Sequence, residues 1–317
     1  MPGIRRAVID VGTNSVKLLV ADVQGGGIEP VVEDSEQTRL GAGFYESRRL
    51  QPEAIAQTAK AVAAFAAKAR ELGAVSTRVI ATSAARDAVN PGDLLSAIEK
   101  ASGVKVVIIS GEQEADWAYQ GVTSDPRLAG QALLLMDVGG GSTEFILGRG
   151  PEKHFRQSFL LGTVRLLEKL RPDDPPTPEQ KAICRKWVKD FLLAEVWPEL
   201  SPALERETKS GSTLTVPRLI GTGGTATILA RMEGRMHDYN RLKIEALRLS
   251  LTQVQGWANQ LWNLPLAERR EITGLPPKRA DVILPGLEIY AGTMEVFGFS
   301  ELRVSTRSLR FAVALND

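Results

Sequence analysis

Two stretches of the sequence decide the fold, because the second repeats the first without a gap. They read Asp10-Val-Gly-Thr-Asn-Ser-Val-Lys-Leu-Leu-Val20 and Asp137-Val-Gly-Gly-Gly-Ser-Thr-Glu-Phe-Ile-Leu147. In each copy an apolar strand carries an aspartate to a turn of small residues, where N–H groups and hydroxyls can converge on an anion. One copy alone would indicate only a glycine-rich hairpin. Two copies predict a related pair of domains whose loops bind phosphate groups.

A third glycine-rich turn supports this prediction. The segment Leu219-Ile-Gly-Thr-Gly-Gly-Thr-Ala-Thr-Ile-Leu-Ala230 reads as a strand, a turn and a helix, with Gly223 and Gly224 at the helix N-terminus, where an anion is stabilised. It lacks the Gly-Lys-Ser/Thr of a Walker loop and the spacing of a dinucleotide-binding fingerprint. Three such turns in this order resemble the phosphate and nucleoside loops of the actin-like superfamily, which includes acetate and sugar kinases.

The rest of the chain alternates between strand-like and helix-like patterns, which predicts an α/β fold. We predict two actin-like (ribonuclease H-like) domains, 1–128 and 129–317, with a phosphate-binding cleft between them and with the last helix packing back on the first domain. Thr177 and Thr252 are each predicted to begin a helix with capping-box spacing. We read 208–215 as a polar loop.

The composition limits the classes of function. The 317 residues are 43% hydrophobic and 24% charged, as expected for two globular domains, and the net charge of +1 gives no bulk attraction to nucleic acid or membranes. One cysteine, Cys184, excludes intramolecular disulfides, and two histidines argue against a His-rich metal site or a Ser-His-Asp triad. No apolar run approaches the roughly 20 residues of a membrane span. We therefore expect a cytoplasmic protein.

Two further segments carry charged residues near predicted helix starts. In Ala81-Thr-Ser-Ala-Ala-Arg-Asp-Ala88 we predict Ser83 as the cap and Arg86 in the first turn, where a cation is mildly disfavoured unless an anion lies beside it. A surface arginine paired with an acid explains Arg86 equally well. In Ser110-Gly-Glu-Gln-Glu-Ala115 the first-turn acids, including Glu114, suit the helix dipole whatever their function.

These segments belong to a set of eight that resembles, in order and over nearly the whole chain, the exopolyphosphatase/guanosine pentaphosphate phosphatase (Ppx/GppA) family. The sequence departs from the family pattern at Gln113, where an acid is usual, and near Arg307 and Arg310, where the usual Leu-Arg-acid-Gly is absent. The matching segments are 9–18, 39–41, 81–88, 109–115, 136–144, 161–166, 221–226 and 280–286.

The resemblance implies hydrolysis of a terminal phosphoryl group from a phosphoanhydride chain, with Mg²⁺ as cofactor. Glu114 matches the catalytic glutamate that activates or orients water, and Arg86 matches an arginine that contacts phosphate. Asp137 and Glu144 match the metal-associated acids. The residues that match or flank the phosphate loops are Asp10, Gly12, Thr13, Asn14, Ser15, Gly139, Gly140, Gly141, Ser142 and Thr143.

Several alternatives stay open at this point. Inorganic polyphosphate is the expected substrate, and guanosine pentaphosphate, cleaved at its 5′-terminal phosphate, is the runner-up. A kinase of the same superfamily and a polyphosphate or nucleotide sensor without turnover are the other hypotheses. Because the sequence stops at Asp317, we expect the short, two-domain form of the family, with a weaker grip on long polymers. We also expect a homodimer without nucleic-acid or membrane partners.

Overall fold

The computed structural model describes residues 3–209 and 216–317, and it divides the chain into two compact units. The first unit comprises Met1–Ser124 and Arg307–Asp317, and the second comprises Asp125–Thr306. Each unit combines one sheet with helices, so the predicted α/β fold is confirmed. The boundary that we predicted between 128 and 129 lies shortly after the change of unit at Ser124.

The first unit is built on a five-stranded sheet with the strand order β3-β2-β1-β4-β5. Its strands are β1 (Ile4–Val11), β2 (Val16–Gln24), β3 (Gly27–Glu36), β4 (Ser76–Ala81) and β5 (Val106–Ile108). The helices that precede the second unit are α1 (Phe44–Ser47), α2 (Pro52–Glu71), α3 (Ser83–Asp87), α4 (Pro91–Ser102) and α5 (Gly111–Thr123).

The second unit contains a six-stranded sheet with the order β10-β11-β9-β6-β7-β8. Its strands are β6 (Ala132–Val138), β7 (Thr143–Arg149), β8 (Glu152–Phe159), β9 (Arg218–Thr222), β10 (Arg248–Ser250) and β11 (Glu301–Val304). A π-helical turn, Leu192–Val196, joins α7 to α8, and a 3₁₀ turn spans Pro277–Arg279. The α-helices of this unit are α6 (Thr163–Leu170), α7 (Pro178–Phe191), α8 (Trp197–Lys209), α9 (Gly223–Glu233), α10 (Arg241–Ala246), α11 (Leu251–Trp262), α12 (Leu266–Arg269) and α13 (Ile283–Phe297).

The chain then returns to the first unit as α14 (Leu309–Leu315). Successive side chains of a strand point to opposite faces, so β1 can serve two apolar layers. Ala7 and Ile9 join the cluster that includes residues of α2 and α4, whereas Val8 joins a cluster with Leu309 and Phe311 of α14. The last helix therefore completes the core on one face of the first sheet.

The predicted helix starts are partly right. At α7 the Thr177 hydroxyl accepts a hydrogen bond from the Gln180 N–H (3.3 Å), and Gln180 Oε1 accepts one from the Thr177 N–H (3.0 Å), which confirms the capping box. The start at Thr252 is wrong, because Ser250 and Gln253 form the box of α11. Ser250 has the extended backbone that an N-cap needs and leads directly out of β10.

Two other local predictions concern the start of α3 and the segment 208–215. Ser83 is not the cap of α3, because Thr82 occupies the N-cap position and makes no side-chain capping bond. Of the loop predicted at 208–215, residues 208 and 209 end α8, and 210–215 lie outside the described residues. In the part of the chain that the structure describes, no helix is long and apolar enough to cross a membrane.

Candidate active site

The first loop is a four-residue connection between β1 and β2. Asp10 lies opposite Lys17 in the ladder, and the Gly12 N–H donates to the Ser15 carbonyl at 3.1 Å. The following segment packs against the loop, because the Gly41 N–H donates to the Thr13 carbonyl (2.7 Å). A Cβ at Gly41 would overlap the Thr13 side chain, so only glycine permits this approach.

The second loop has the same construction. Asp137 lies opposite Glu144, and the Gly139 N–H donates to the Ser142 carbonyl at 2.9 Å. The loop is supported from the start of α6, where the Thr163 N–H donates to the Gly139 carbonyl at 3.0 Å. The sequence repeat is therefore also a repeat of ladder register and turn hydrogen bond.

Four polar atoms at or beside the first loop are buried and have no hydrogen-bond partner among the described residues. They are Oδ1 of Asp10, Nδ2 of Asn14, Oε1 of Gln37 and Oγ of Ser83. Buried polar groups are nearly always paired, so orphans that gather at one place indicate a polar ligand. Burial raises the pKa of Asp10, while the positive charges of Lys17 and Arg310 oppose that shift.

The strand ends explain why these residues gather. The parallel strands β1, β4 and β5 are in register at Val11, Ala81 and Ile108, so their carboxyl ends meet at one sheet edge. The Thr82 N–H donates to the Val11 carbonyl at 3.2 Å, which fixes the start of α3 against the end of β1. Ligand sites of open α/β sheets form outside such edges.

Arg86 and Glu114 meet at the same edge. Arg86 Nη1 donates to Glu114 Oε2 at 2.9 Å and to the Ile109 carbonyl at 3.1 Å. Glu114 is only 8% exposed, in the first turn of α5, and the Ser110 hydroxyl caps this helix by accepting from the Gln113 N–H at 3.1 Å. The ion pair thus holds both side chains in one orientation.

In the second unit, the facing carboxylates Asp137 and Glu144 are the next-to-last residue of β6 and the second residue of β7. Glu144 is buried, and its Oε1 accepts from the hydroxyls of Ser142 (2.8 Å) and Ser158 (2.7 Å). Asp137 is half-buried. Oxygen donors held in this way suit Mg²⁺, which takes one or two carboxylates and completes its shell with water and substrate. No cluster of three or more potential metal-binding side chains occurs among the described residues.

The third turn lies directly beside Asp137. Thr222 is paired with Asp137 in the parallel ladder, and α9 begins at Gly223. Gly223 has a φ of +82°, and a Cβ there would overlap Asp137 Oδ1. A Cβ at Gly224 would lie 3.5 Å from Arg279 Nη2, so a guanidinium also approaches this turn.

Beneath the turn, Tyr290 donates its hydroxyl hydrogen to the Thr222 carbonyl at 3.2 Å. Burial and the negative charge of Asp137 raise the pKa of Tyr290, so this phenol stays a donor. Tyr290, Ser158, Ser83 and Arg279 were not among the predicted site residues. Ser83 lies within the matching segment 81–88, and Ser158 is a polar residue in the strand after the second loop, so the sequence offered a signal for these two. Tyr290 and Arg279 lie outside the matching segments.

Comparison with known proteins gives consistent matches. The sequence profile of the Ppx/GppA phosphatase family matches residues 19–317. Exopolyphosphatase 2 of Mycobacterium tuberculosis is 32% identical over 332 aligned positions, which cover 98% of this chain and 98% of that protein. A bifunctional 3-dehydroquinate synthase/phosphatase of Fusobacterium nucleatum is 30% identical over 313 positions, which cover 95% of this chain and 44% of that protein.

Solved structures agree with these matches. A Ppx/GppA enzyme of Aquifex aeolicus superposes with a TM-score of 0.77 at 30% identity, covering 99% of each chain. An exopolyphosphatase from Cytophaga hutchinsonii superposes with a TM-score of 0.86 at 26% identity, covering 98% of this chain and 96% of that one.

Proposed function

Because the chain belongs to the Ppx/GppA phosphatase family, we propose that it is an exopolyphosphatase, which hydrolyses the terminal phosphoryl group of inorganic polyphosphate with Mg²⁺ as cofactor. The observation that carries the proposal is the Arg86–Glu114 pair, with its 2.9 Å contact, at the sheet edge where buried polar atoms are left for a ligand. Phosphoryl transfer to water requires a correctly positioned general base and groups that neutralise the negative charge of the phosphate.

In the first unit, Glu114 takes the proton of the attacking water or orients that water. Arg86 fixes the Glu114 carboxylate and offers positive charge to a phosphate oxygen. The loop from Gly12 to Ser15, with Asp10 behind it, binds phosphate through backbone N–H groups and side chains. A general base of this kind contributes about 10²- to 10⁴-fold to a rate.

In the second unit, the loop residues Gly139, Gly140, Gly141, Ser142 and Thr143 bind phosphate, and the N-terminus of α9 at Gly223 and Gly224 adds further N–H groups. Asp137 and Glu144 are the residues that would hold Mg²⁺. Bound there, the ion would supply neutralisation of negative charge on phosphate oxygens. The Ser142 and Ser158 hydroxyls keep the Glu144 carboxylate in place.

Guanosine pentaphosphate is the runner-up substrate, since its 5′-terminal phosphate is also joined through an anhydride. A sensor that binds polyphosphate without turnover is the other alternative. The cytoplasmic location and the homodimer stay predictions from the sequence, and sedimentation of the purified chain tests the second of these.

The test compares wild type with Glu114→Gln. Phosphate release is measured from long polyphosphate, short polyphosphate, guanosine pentaphosphate and ATP, with and without Mg²⁺. We expect Mg²⁺-dependent release from polyphosphate and a loss of about 10²- to 10⁴-fold in kcat for Glu114→Gln, because the water loses its base.

Glu112→Gln is the matched control, because Glu112 lies in the same turn of α5 but is exposed. It should keep wild-type activity. Full activity of Glu114→Gln would overturn the mechanism. Turnover of guanosine pentaphosphate but not of polyphosphate would show that guanosine pentaphosphate is the substrate. Binding of polyphosphate without turnover of any of the four compounds would favour the sensor.

A further inference from the structure

An open pocket lies in the second unit. Three arginines, Arg127, Arg248 and Arg303, line it together with the carboxylates of Asp125 and Glu245. The residues that line the pocket are not those of the proposed phosphate loops. On β9 the lining residue is Ile220, which lies two residues, or about 7 Å, before Thr222, the partner of Asp137.

The sheet itself gathers the positive charges. Arg248 of β10 lies directly opposite Arg303 of the antiparallel strand β11, and Arg303 lies opposite Ile220 of β9. Arg218 precedes Ile220 by two residues and so shares its face. Like charges directly opposite each other destabilise a sheet. Folding alone therefore does not account for arginines at these paired positions.

Nearby acids compensate this charge only in part. Arg127 is well paired, since its Nη2 contacts Asp125 at 2.6 Å and also contacts Glu245. Arg303 Nε donates to Glu301 at 3.0 Å, and the same Glu301 oxygen lies 3.9 Å from Arg248 Nε. One carboxylate thus serves two arginines.

Arg248 is held mainly by the backbone. Its Nη1 donates to the carbonyls of Glu245 (3.0 Å) and Leu247 (2.8 Å), which fixes the guanidinium at the end of α10. Burial and the positive charges of Arg303, Arg218 and Arg127 lower the pKa of Arg248, while Glu301 opposes the shift. The backbone contacts therefore orient the guanidinium in advance, beside the positive charges of the other arginines.

We propose that this pocket binds a small phosphate-bearing anion, with Arg248 and Arg303 as its main contacts and Arg127 at its rim. Fixed guanidinium groups match phosphate oxygens through paired N–H donors, and an anion would relieve the repulsion between the facing arginines. The pocket wall includes Asp125 and Ser305, next to the two places where the chain passes between the units. The proposal does not depend on the proposed catalytic function.

The test uses inorganic pyrophosphate and ADP as probes, titrated calorimetrically into the full chain carrying Glu114→Gln, so that turnover does not interfere. In this background we compare Arg248→Gln/Arg303→Gln with Arg206→Gln, an exposed arginine of α8 in the same unit. We expect one binding event to weaken at least about tenfold in the double variant, as the loss of charge-assisted hydrogen bonds predicts, and to persist in the control.

The two probes separate the sources of the anion. Binding of both means that the pocket recognises the diphosphate alone, and binding of ADP only means that a nucleoside is also required; each supports the proposal if it depends on the arginines. Equal affinities for both probes in the double variant and in Arg206→Gln would overturn it.

Thermal unfolding supplies a second measurement that needs only a single substitution. Pyrophosphate should raise the Tm of the parent chain more than that of Arg248→Gln. Equal shifts in the two proteins would contradict an anion site at Arg248.

Discussion

Ser83 places its hydroxyl in a buried position at the start of α3, where it has no hydrogen-bond partner in the described part of the chain. Such a group costs stability unless something else pairs with it. Asp10 and Asn14 also have buried polar atoms without a hydrogen-bond partner among the described residues, and they belong to the proposed phosphate loop. We therefore propose that the Ser83 hydroxyl contributes to substrate binding rather than to folding.

Replacement of Ser83 by alanine separates the two roles. The variant should raise KM for polyphosphate about three- to tenfold, through the loss of one hydrogen bond, while its Tm stays equal or rises. Ser102→Ala is the contrast, because the buried Ser102 hydroxyl donates to the Ile98 carbonyl at 2.8 Å. That variant should lose about 1 kcal/mol of stability and keep its KM. A lower Tm with an unchanged KM for Ser83→Ala would refute the assignment.

Glu288 of α13 is a buried acid outside the proposed site. Burial, and to a smaller extent Glu295, raise its pKa to about 7 from 4.5, although Lys181 and Arg185 oppose the shift. The folded state thus keeps the proton to a higher pH than the unfolded state. Its contribution to stability is therefore present below pH 4.5 and is lost as the pH rises through about 7.

Glu288→Gln should remove this pH dependence. At pH 8 the variant should be more stable than wild type by up to about 3 kcal/mol, because the folded chain no longer contains a buried carboxylate, and near pH 4.5 the difference should vanish. Urea unfolding at both pH values measures it. Glu199→Gln, at an exposed position of α8, should follow the wild-type profile. Parallel stability curves for Glu288→Gln and wild type would contradict the role of Glu288.

At the scale of elements, the repeated hairpin was the part best predicted from sequence. A gap-free match fixes the ladder register, and the structure shows the same four-residue turn in both copies. The capping box at Thr177 was also predictable, because its two residues are three apart. Both features are predictable because the residues that form them are only a few positions apart in the sequence.

Contacts between distant segments could not be read in the same way. Arg86 and Glu114 are 28 residues apart, and they meet only because the ends of β1, β4 and β5 are in register. Ser158 contacts Glu144 because β8 pairs with β7, and β8 was not predicted from the sequence. The family resemblance indicated Arg86 and Glu114 as site residues. Their contact results from the pairing and register of strands β1, β4 and β5.

Gly223 tests the junction between β9 and α9. Gly223→Ala should lower phosphate release strongly, because a φ of +82° strains alanine and the new Cβ displaces the Asp137 carboxylate. The stability loss should be about 1 kcal/mol or more. At Gly256, within α11, no described atom lies within 4 Å of an added Cβ, so Gly256→Ala should raise stability by about 0.5–1 kcal/mol at unchanged activity. Wild-type activity of Gly223→Ala would show that phosphate release does not depend on the position of the Asp137 carboxylate.

At the scale of the whole molecule, the first unit depends on residues from both ends of the chain. Arg310 Nη1 donates to the Leu18 carbonyl (2.7 Å), and Arg6 Nη1 donates to the Ala314 carbonyl (2.8 Å). Phe311 is fully buried in a cluster with Val8 and Leu19. These contacts join α14 to β1 and β2.

Gly121 controls how closely α14 approaches α5. A Cβ at Gly121 would overlap the Ser308 carbonyl, so Gly121→Ala should push the start of α14 away and cost about 1–3 kcal/mol in urea unfolding. Gly92→Ala, in α4 where an added Cβ meets open space, is the matched control and should not destabilise. Equal unfolding midpoints for the two variants would show that α14 tolerates displacement.

This discontinuous construction has a consequence for synthesis on the ribosome. Residues up to Ser124 emerge before the whole of Asp125–Thr306, and α14 emerges after it. Until then the face of β1 and β2 that contains Val8 and Leu19 lacks its cover, so the nascent chain exposes an apolar sheet surface of the kind that attracts chaperones. The first unit is therefore completed only after the whole of the second has been synthesised, and a truncation that removes α14 would leave that apolar surface exposed.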